Sequence, residues 1–453
     1  MHKIPKYILI TIPILFMFAF GLSALIPSIF IAWLVYQSFF SDHILYNPKK
    51  NYQYNLQSSR KKTIVIQDNT ILLEASSKQS TYIIEANVTS SFSGNFLDPY
   101  ITITSQGNEV KQYFERSVSG KRYLNISSLC NDHGGSLTLN LKISHCTISS
   151  SCILHTFDNS RISIDKLMVI APHADDAEIA AYGLYSRTNS HIITLTAGEI
   201  EPETFKHFSN DLEKASKLKG LVRAWDSLAV PLWGNQPYTN SIQLGYFCKQ
   251  LAKMHDSPDL PVQSLTSPIN DTRTFRIFNT KTLTSDQDGK STWKNLVQDL
   301  ADLIEQIKPT SIVTPHDQID AHSDHIFATR ALKEALSKTK HQPDHLLLYA
   351  NHLTTTDMHP YGPAHSNASL PPSFEMTKVN SLFSVPLDKK VQTDKAISLE
   401  MMHDLRRPIK FKKKIRAIIQ SLIINRKITS YGADPYFRKA VRSNELFFVE
   451  PIK

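Results

Sequence analysis

Residues 7–40 contain no charged side chain, and most positions there are Ile, Leu, Phe, Ala, Val or Met. That absence excludes an ordinary solvated N-terminal arm. About 20 apolar residues in helical form suffice to cross a bilayer, and membrane helices tolerate interruptions such as Pro13 and Pro27. Lys3 and Lys6 precede the run as they would in a cleaved leader, but the run is longer than the apolar core of such leaders. The expectation is therefore an uncleaved N-terminal transmembrane helix over residues 1–40, with a polar, basic linker over residues 41–62. Lys3 and Lys6 on one side are nearly balanced by Lys49 and Lys50 on the other, so the positive-inside rule gives no clear orientation.

Cysteine is scarce, at four residues, and three of these (Cys130, Cys146 and Cys152) fall in one short stretch. They are either a disulfide with a third thiol or three buried thiols. The first reading favours an oxidising compartment, giving a single-pass protein of the inner (cytoplasmic) membrane with its main domains extracytoplasmic. Also lacking is any motif that interleaves cations with aromatic residues. The net charge of +9 thus points away from nucleic acid and toward a phosphate-bearing substrate or an anionic membrane surface. With 41% hydrophobic and 20% charged residues, the chain is globular and not disordered.

Two folded regions follow the linker. Residues 63–163 hold short alternating runs such as Tyr82-Ile-Ile-Glu85 and Tyr100-Ile-Thr-Ile103, bounded by Gly, Asn, Asp and Ser. Period-two patterning at this spacing predicts an antiparallel β-sandwich. From residue 164 to 453 the pattern becomes α/β. Leu167-Met-Val-Ile170 and His191-Ile-Ile-Thr-Leu-Thr196 read as buried strands. Trp293, Leu296, Val297, Leu300, Leu303 and Ile304 recur at helical spacing, and Pro309 and another strand at Ser311 follow. This alternation predicts a doubly wound, mostly parallel, Rossmann-like sheet. Ligands of such sheets bind beyond the carboxyl ends of the strands, so functional residues are expected just after Ile170 and Thr314.

Both places are rich in metal-binding chemistry. The first reads Pro172-His173-Ala-Asp175-Asp176-Ala-Glu178 and the second His316-Asp-Gln-Ile-Asp320-Ala-His322-Ser-Asp324-His325. Two imidazoles and a carboxylate with an open fourth position make a catalytic zinc site. Either motif alone is weak. Together, each after a strand of one sheet, they carry much more. Asp324 also reads as a first-turn residue of a helix running to about Leu336, and Glu178 as a first-turn acid that suits a helix dipole.

On these residues the C-terminal half resembles the PIG-L (LmbE-like) family of zinc-dependent N-acetylglucosamine deacetylases, whose members carry His-x-Asp-Asp and a later His-x-Asp-His. The segment Leu244-Gly-Tyr-Phe-Cys248 is similar to a family stretch of the form Leu-Gly-Tyr-Pro-Asp, with Cys248 in place of the acid. The resemblance implies that His173, Asp176 and His325 bind Zn2+, that Asp175 is the general base, and that His322 protonates the leaving amine or stabilises the oxyanion. It implies a substrate with an N-acetyl-hexosamine, in a lipid-linked or polysaccharide glycan if the chain is tethered. A soluble glycoside or nucleotide sugar, and a non-catalytic glycan-binding protein, are the alternatives. Iron or cobalt would suit similar ligands.

Other candidates are less specific. Arg223 and Asp226 are candidate contacts to sugar hydroxyls. His316 and Asp320 are candidate partners for a ligand imidazole, or plain loop residues. Residues 259–291 read as an active-site lid or a structureless loop. The basic run from Lys410 to Arg416 reads as a solvated face, or as a contact for anionic headgroups or a lipid diphosphate.

Overall fold

The computed structural model describes residues 11–452, apart from 12, 16–17, 19–20, 22–24, 76–78, 131–134, 407–409 and 427–434. Ten strands come first: β1 (Tyr54–Leu56), β2 (Arg60–Val65), β3 (Thr70–Ala75), β4 (Ser80–Ser90), β5 (Tyr100–Ser105), β6 (Asn108–Tyr113), β7 (Ser119–Asn125), β8 (Gly135–Ser144), β9 (Cys146–Ile148) and β10 (Ser151–Asp158). Strands β2-β10-β4-β7, with β9 on β4, form one antiparallel sheet, and β3-β8-β5-β6 form the other. Alternate residues point between them, so Ile71, Leu73, Ile84, Val88, Ile103, Leu124 and Leu139 share one dry core. All four cysteines are free and buried, Cys130, Cys146 and Cys152 among them, so no disulfide supports the oxidising-compartment reading. The expected linker also ends sooner than residue 62, because β1 and the start of β2 lie within it.

The second region adds β11 (Lys166–Ala171), β12 (Asn189–Thr196), β13 (Ser241–Tyr246), β14 (Ser311–Pro315), β15 (His345–Tyr349), β16 (Thr377–Val379), β17 (Ser381–Pro386) and β18 (Asn444–Pro451). Its main sheet runs β13-β12-β11-β14-β15-β18-β17. The first five strands are parallel, while β18 pairs antiparallel with both β15 and β17. The sheet is therefore mixed. Its parallel part reverses direction of growth on either side of β11, and the crevice where β11 meets β14 is the topological switch point. Strand β11 is apolar on both faces because helices cover both, and Leu167, Met168, Val169 and Ile170 are fully buried. The helix Trp293–Ile307 forms as its pattern requires: Thr292 caps it by accepting from Asn295 N at 3.2 Å, its apolar stripe is buried, and Lys308 closes it at φ +51°.

The two regions are joined by polar contacts as well as packing. Asn125 Nδ2 donates to Ser384 Oγ at 2.8 Å and Asn159 Nδ2 to the Leu382 carbonyl at 2.8 Å, while β1 pairs with β16. The sandwich thus packs directly on the α/β layer. Residues 259–291 include two 3-10 turns, with Phe275 buried and Arg276 bonded to Asp286 and Asp299.

The expected N-terminal span lies partly outside the described residues. Among those described, no helix is long and apolar enough to cross a membrane. The helix Leu25–Val35 has 11 residues, roughly 16 Å of rise, against a hydrocarbon core of about 30 Å. The anchor is accordingly not supported. A π-turn, Tyr36–Phe40, continues this helix toward the sandwich.

One buried ion pair holds the helix that begins at Asp176. Glu445 Oε1 accepts from Gly183 N at 2.8 Å, Glu445 Oε2 from Leu184 N at 2.9 Å, and Lys395 Nζ lies 2.7 Å from Oε1 with both side chains nearly inaccessible. Removing one partner of such a pair leaves an uncompensated buried charge. Lys395→Met is expected to lower the urea-denaturation free energy by about 3–5 kcal/mol; a loss below about 1 kcal/mol would show that the pair does not hold this helix.

Candidate metal centre

Strands β11 and β14 pair in parallel with Val169 opposite Val313, so their carboxyl ends finish side by side. The turn after β11 carries His173 and Asp175 into the helix Asp176–Tyr185, and the loop after β14 leads through Asp320 and His322 into the helix Ser323–Lys338. The two motifs, well separated in sequence, therefore meet at the switch point. The His173, His322 and His325 rings lie 4.8–5.4 Å apart between centroids. Asp175 reaches this place at φ +113°, a conformation that costs a non-glycine residue on the order of 1–3 kcal/mol. The turn accepts that strain just before the helix.

A chain of alternating carboxylates and imidazoles runs through the centre. Asp176 Oδ2 is 3.1 Å from His173 Nδ1 and 3.1 Å from His325 Nε2. The far nitrogen of each ring meets another acid: His173 Nε2 is 3.1 Å from Asp324 Oδ2, and His325 Nδ1 is 3.1 Å from Asp320 Oδ2. Those outer acids are themselves fixed. Asp320 accepts from the backbone of His322, Asn351 and His352, and Asp324 accepts from Lys249 N at 2.7 Å. Asn351 Nδ2 donates to Asp176 Oδ1 at 2.8 Å. His322 Nδ1 accepts from Asp324 N at 3.2 Å, so the proton of its neutral ring sits on Nε2.

The electrostatics are those of a cation site. Burial opposes protonation of His325, yet Asp176 and Asp320 push it up to about 9. Burial opposes it at His173 too, and is outweighed by Cys248, Asp176 and Asp324. Burial lifts Asp175 to about 7 against the pull of Arg223. Burial holds His322 down at about 4. Three acids around two buried rings would be costly without positive charge between them. His325 Nε2 and Asp324 Oδ1 are buried without an aligned hydrogen-bond partner, as lone-pair atoms facing a cation would be. The triads His173–His322–His325, His173–Cys248–Asp324 and Asp176–His325–His352 each keep their donor atoms within 4.8 Å. The centre can hold a metal ion.

A cavity of about 420 Å³ opens over it, lined by His173, Asp175, Asp176, His322, Arg223 and Lys219, with Cys248, His352, Asp404, Leu405 and Tyr436 at its walls. Arg223 reaches Asp175 at 3.7 Å, donates to the Ala174 carbonyl at 2.7 Å, and is paired with Asp404. Gly198, at φ +65°, leaves the room that Arg223 occupies.

The structure thus brings His173, Asp175, Asp176, His322, His325, Asp320 and Arg223 together. It does not bring Asp226 or His316. Asp226 is buried behind the cavity on His403, at 2.7 Å. His316 packs its ring on Phe448 and accepts from Gln318 N. No residue of 259–291 lines the cavity. Sequence reasoning underrated Asp324, whose first-turn position concealed its contact with His173. It passed over Asn351 and His352, although both follow β15 and obey the same strand-end rule. Asp404 and Tyr436 carried no signal.

Residues 168–336 match the family model PIG-L, GlcNAc-PI de-N-acetylase. No curated protein sequence matches the chain. Among solved structures, the N,N'-diacetylchitobiose deacetylase of Pyrococcus horikoshii is 11% identical, with 63% of this chain and 84% of that one covered and a TM-score of 0.33. The 4-carboxy-2-hydroxymuconate hydratase GalB of Pseudomonas putida is 13% identical, with 64% and 96% covered and a TM-score of 0.31. The matched segment, residues 168–336, holds every residue of both sequence motifs.

Proposed function

We propose that this chain is a zinc-dependent deacetylase that hydrolyses the N-acetyl group of an N-acetyl-hexosamine carried on a lipid-linked or polysaccharide glycan. The observation that carries the reading is that His173 Nδ1 and His325 Nε2 both meet Asp176 Oδ2 at 3.1 Å, with Asp175 lining the cavity beside them. His173, Asp176 and His325 would hold the zinc. When bound, zinc would acidify a water and polarise the amide carbonyl.

The remaining work falls to the chain's own groups. Asp175 takes the proton of the attacking water, and Arg223 at 3.7 Å keeps its carboxylate turned toward the cavity. His322, with its proton on Nε2, donates a hydrogen bond to the oxygen on which negative charge develops, and the proton that Asp175 took from the water passes to the departing amine. Asp320 and Asp324 fix the rings of His325 and His173 from behind. Asp404, Arg223 and Lys219 supply polar groups for sugar hydroxyls at the cavity wall.

Acetate release from a panel of N-acetyl-hexosamine glycans, measured together with metal content, tests the reading. The wild-type protein should contain zinc, lose activity on chelation and regain it with zinc. Asp175→Asn should retain metal and lose about 10²–10⁴-fold in kcat. Full metal with no acetate from any glycan would point to another substrate or to glycan binding alone. A metal-free, active protein would refute the mechanism. Asp320→Asn should weaken zinc affinity or activity by about 10- to 100-fold, read by competition with a chromogenic chelator; unchanged affinity and activity would show that Asp320 does not orient His325.

A further inference from the structure

Large apolar side chains are exposed in three segments that meet at one corner of the molecule. The N-terminal helix Leu25–Val35 exposes Ile26 (80%), Ile29 and Phe30. Its π-turn stacks Phe39 edge-on against Phe96 of the sandwich, at 5.6 Å, and Phe96 in turn contacts Phe92, which is 84% exposed. The third segment is the helix Phe411–Ile424, whose contacts reach the same π-turn. Exposed apolar patches drawn from several elements mark a surface that is covered in use.

The helix Phe411–Ile424 is mounted with its polar side inward. Arg416 Nε donates to Gln37 Oε1 at 3.0 Å, and Gln420 Nε2 donates to the Gln37 carbonyl at 3.1 Å. Those two residues sit four apart on one face. Phe411, Ile415, Ile418 and Leu422 recur at i, i+4, i+7 and i+11 on the opposite face, and Leu422 is 81% exposed. Arg426 secures the C-terminal end of the helix by pairing with Asp42 and Asp98. The apolar stripe is therefore held outward by its own anchoring.

Charge identifies what covers it. From residue 405 to 433 the sequence has nine Lys or Arg and no Asp or Glu. Lys410, Lys412, Lys413 and Lys414 are exposed at the start of the helix. An outward apolar stripe flanked by lysines is the composition of a helix that lies in the headgroup layer of an anionic bilayer, without spanning it. We infer that the corner formed by the helices Leu25–Val35 and Phe411–Ile424 and by Phe92 and Phe96 is a docking surface for an anionic lipid bilayer.

This surface adjoins the cavity in the chain. Leu405 and Tyr436, which bracket the helix Phe411–Ile424 in sequence, both line the cavity. Six residue steps separate Leu405 from Phe411, at most roughly 22 Å of extended chain. Docking there would bring a lipid-borne glycan to the cavity, a consequence that rests on the deacetylase reading, whereas the surface itself does not.

The test uses the full chain carrying Leu422→Cys with an environment-sensitive fluorophore; the four native cysteines are buried. Vesicles of phosphatidylcholine with phosphatidylglycerol, bearing a nitroxide on the lipid chains, should shift the label to the blue and quench it. The same label at Leu72→Cys, an exposed site on the sandwich, should remain unquenched. Lys412→Gln/Lys413→Gln/Lys414→Gln should raise the vesicle concentration for half-maximal quenching about a hundredfold at low salt. A label that stays in water with vesicles overturns the inference. So does one already shielded without lipid, as a second copy or another part of this chain would shield it, or quenching indifferent to lipid charge. Acetate release is not read here, so failure of this surface is distinct from failure of the deacetylase reading.

Discussion

Asp176 Oδ2 lies at equal distance, 3.1 Å, from a nitrogen of His173 and a nitrogen of His325. Each ring is held from its other side by a further acid, Asp324 or Asp320, and those acids are tied to backbone N–H groups of three different loops. The chain acid–imidazole–acid–imidazole–acid is the constraint on which the rest of the site depends. It sets which nitrogen of each ring faces the centre and aligns the ends of β11, β14 and β15. It also concentrates buried negative charge that a cation would neutralise. The strained backbone of Asp175 and the buried Glu445–Lys395 pair make sense as supports of that arrangement, one aiming a carboxylate and the other holding the helix that carries Asp176.

The centre lies where the parallel sheet has its topological switch, and the sandwich meets the same α/β layer from elsewhere. The sandwich is bonded to that layer: its Asn125 and Asn159 bond to β17, and its Phe96 meets the N-terminal π-turn. Substrate access is shaped instead by the C-terminal segment, since Asp404, Leu405 and Tyr436 close the cavity. That segment lies outside the matched range of 168–336. Part of the cavity wall thus comes from outside that range, and Cys248, which also lines it, stands where the resembled stretch has an acid.

The parts of this account legible in the sequence were those encoded locally. His173, Asp175, Asp176, His322 and His325 are in two short motifs after buried strands, and a parallel sheet brings such motifs together without further information. The stripe of Trp293, Leu296, Val297 and Leu300 encoded its helix for the same reason. What depended on contact between distant segments was not legible. Asp226 looked like a sugar contact until His403, 177 residues later, proved to be its partner. His316 has the right residue type, but the packing of Phe448 takes it out of the site. Asp324 serves both the helix start and His173, and only the fold reveals the second role. The N-terminal run was read from composition alone, which cannot say how long a helix it makes.

The most direct test of the central arrangement is X-ray absorption spectroscopy of the zinc-loaded full chain. The account predicts two imidazole nitrogens near 2.0–2.1 Å with the remaining ligands oxygen, from His173, His325 and Asp176. A sulfur shell near 2.3 Å would place the metal instead on Cys248 with His173 and Asp324, and would contradict the shared-carboxylate centre described here.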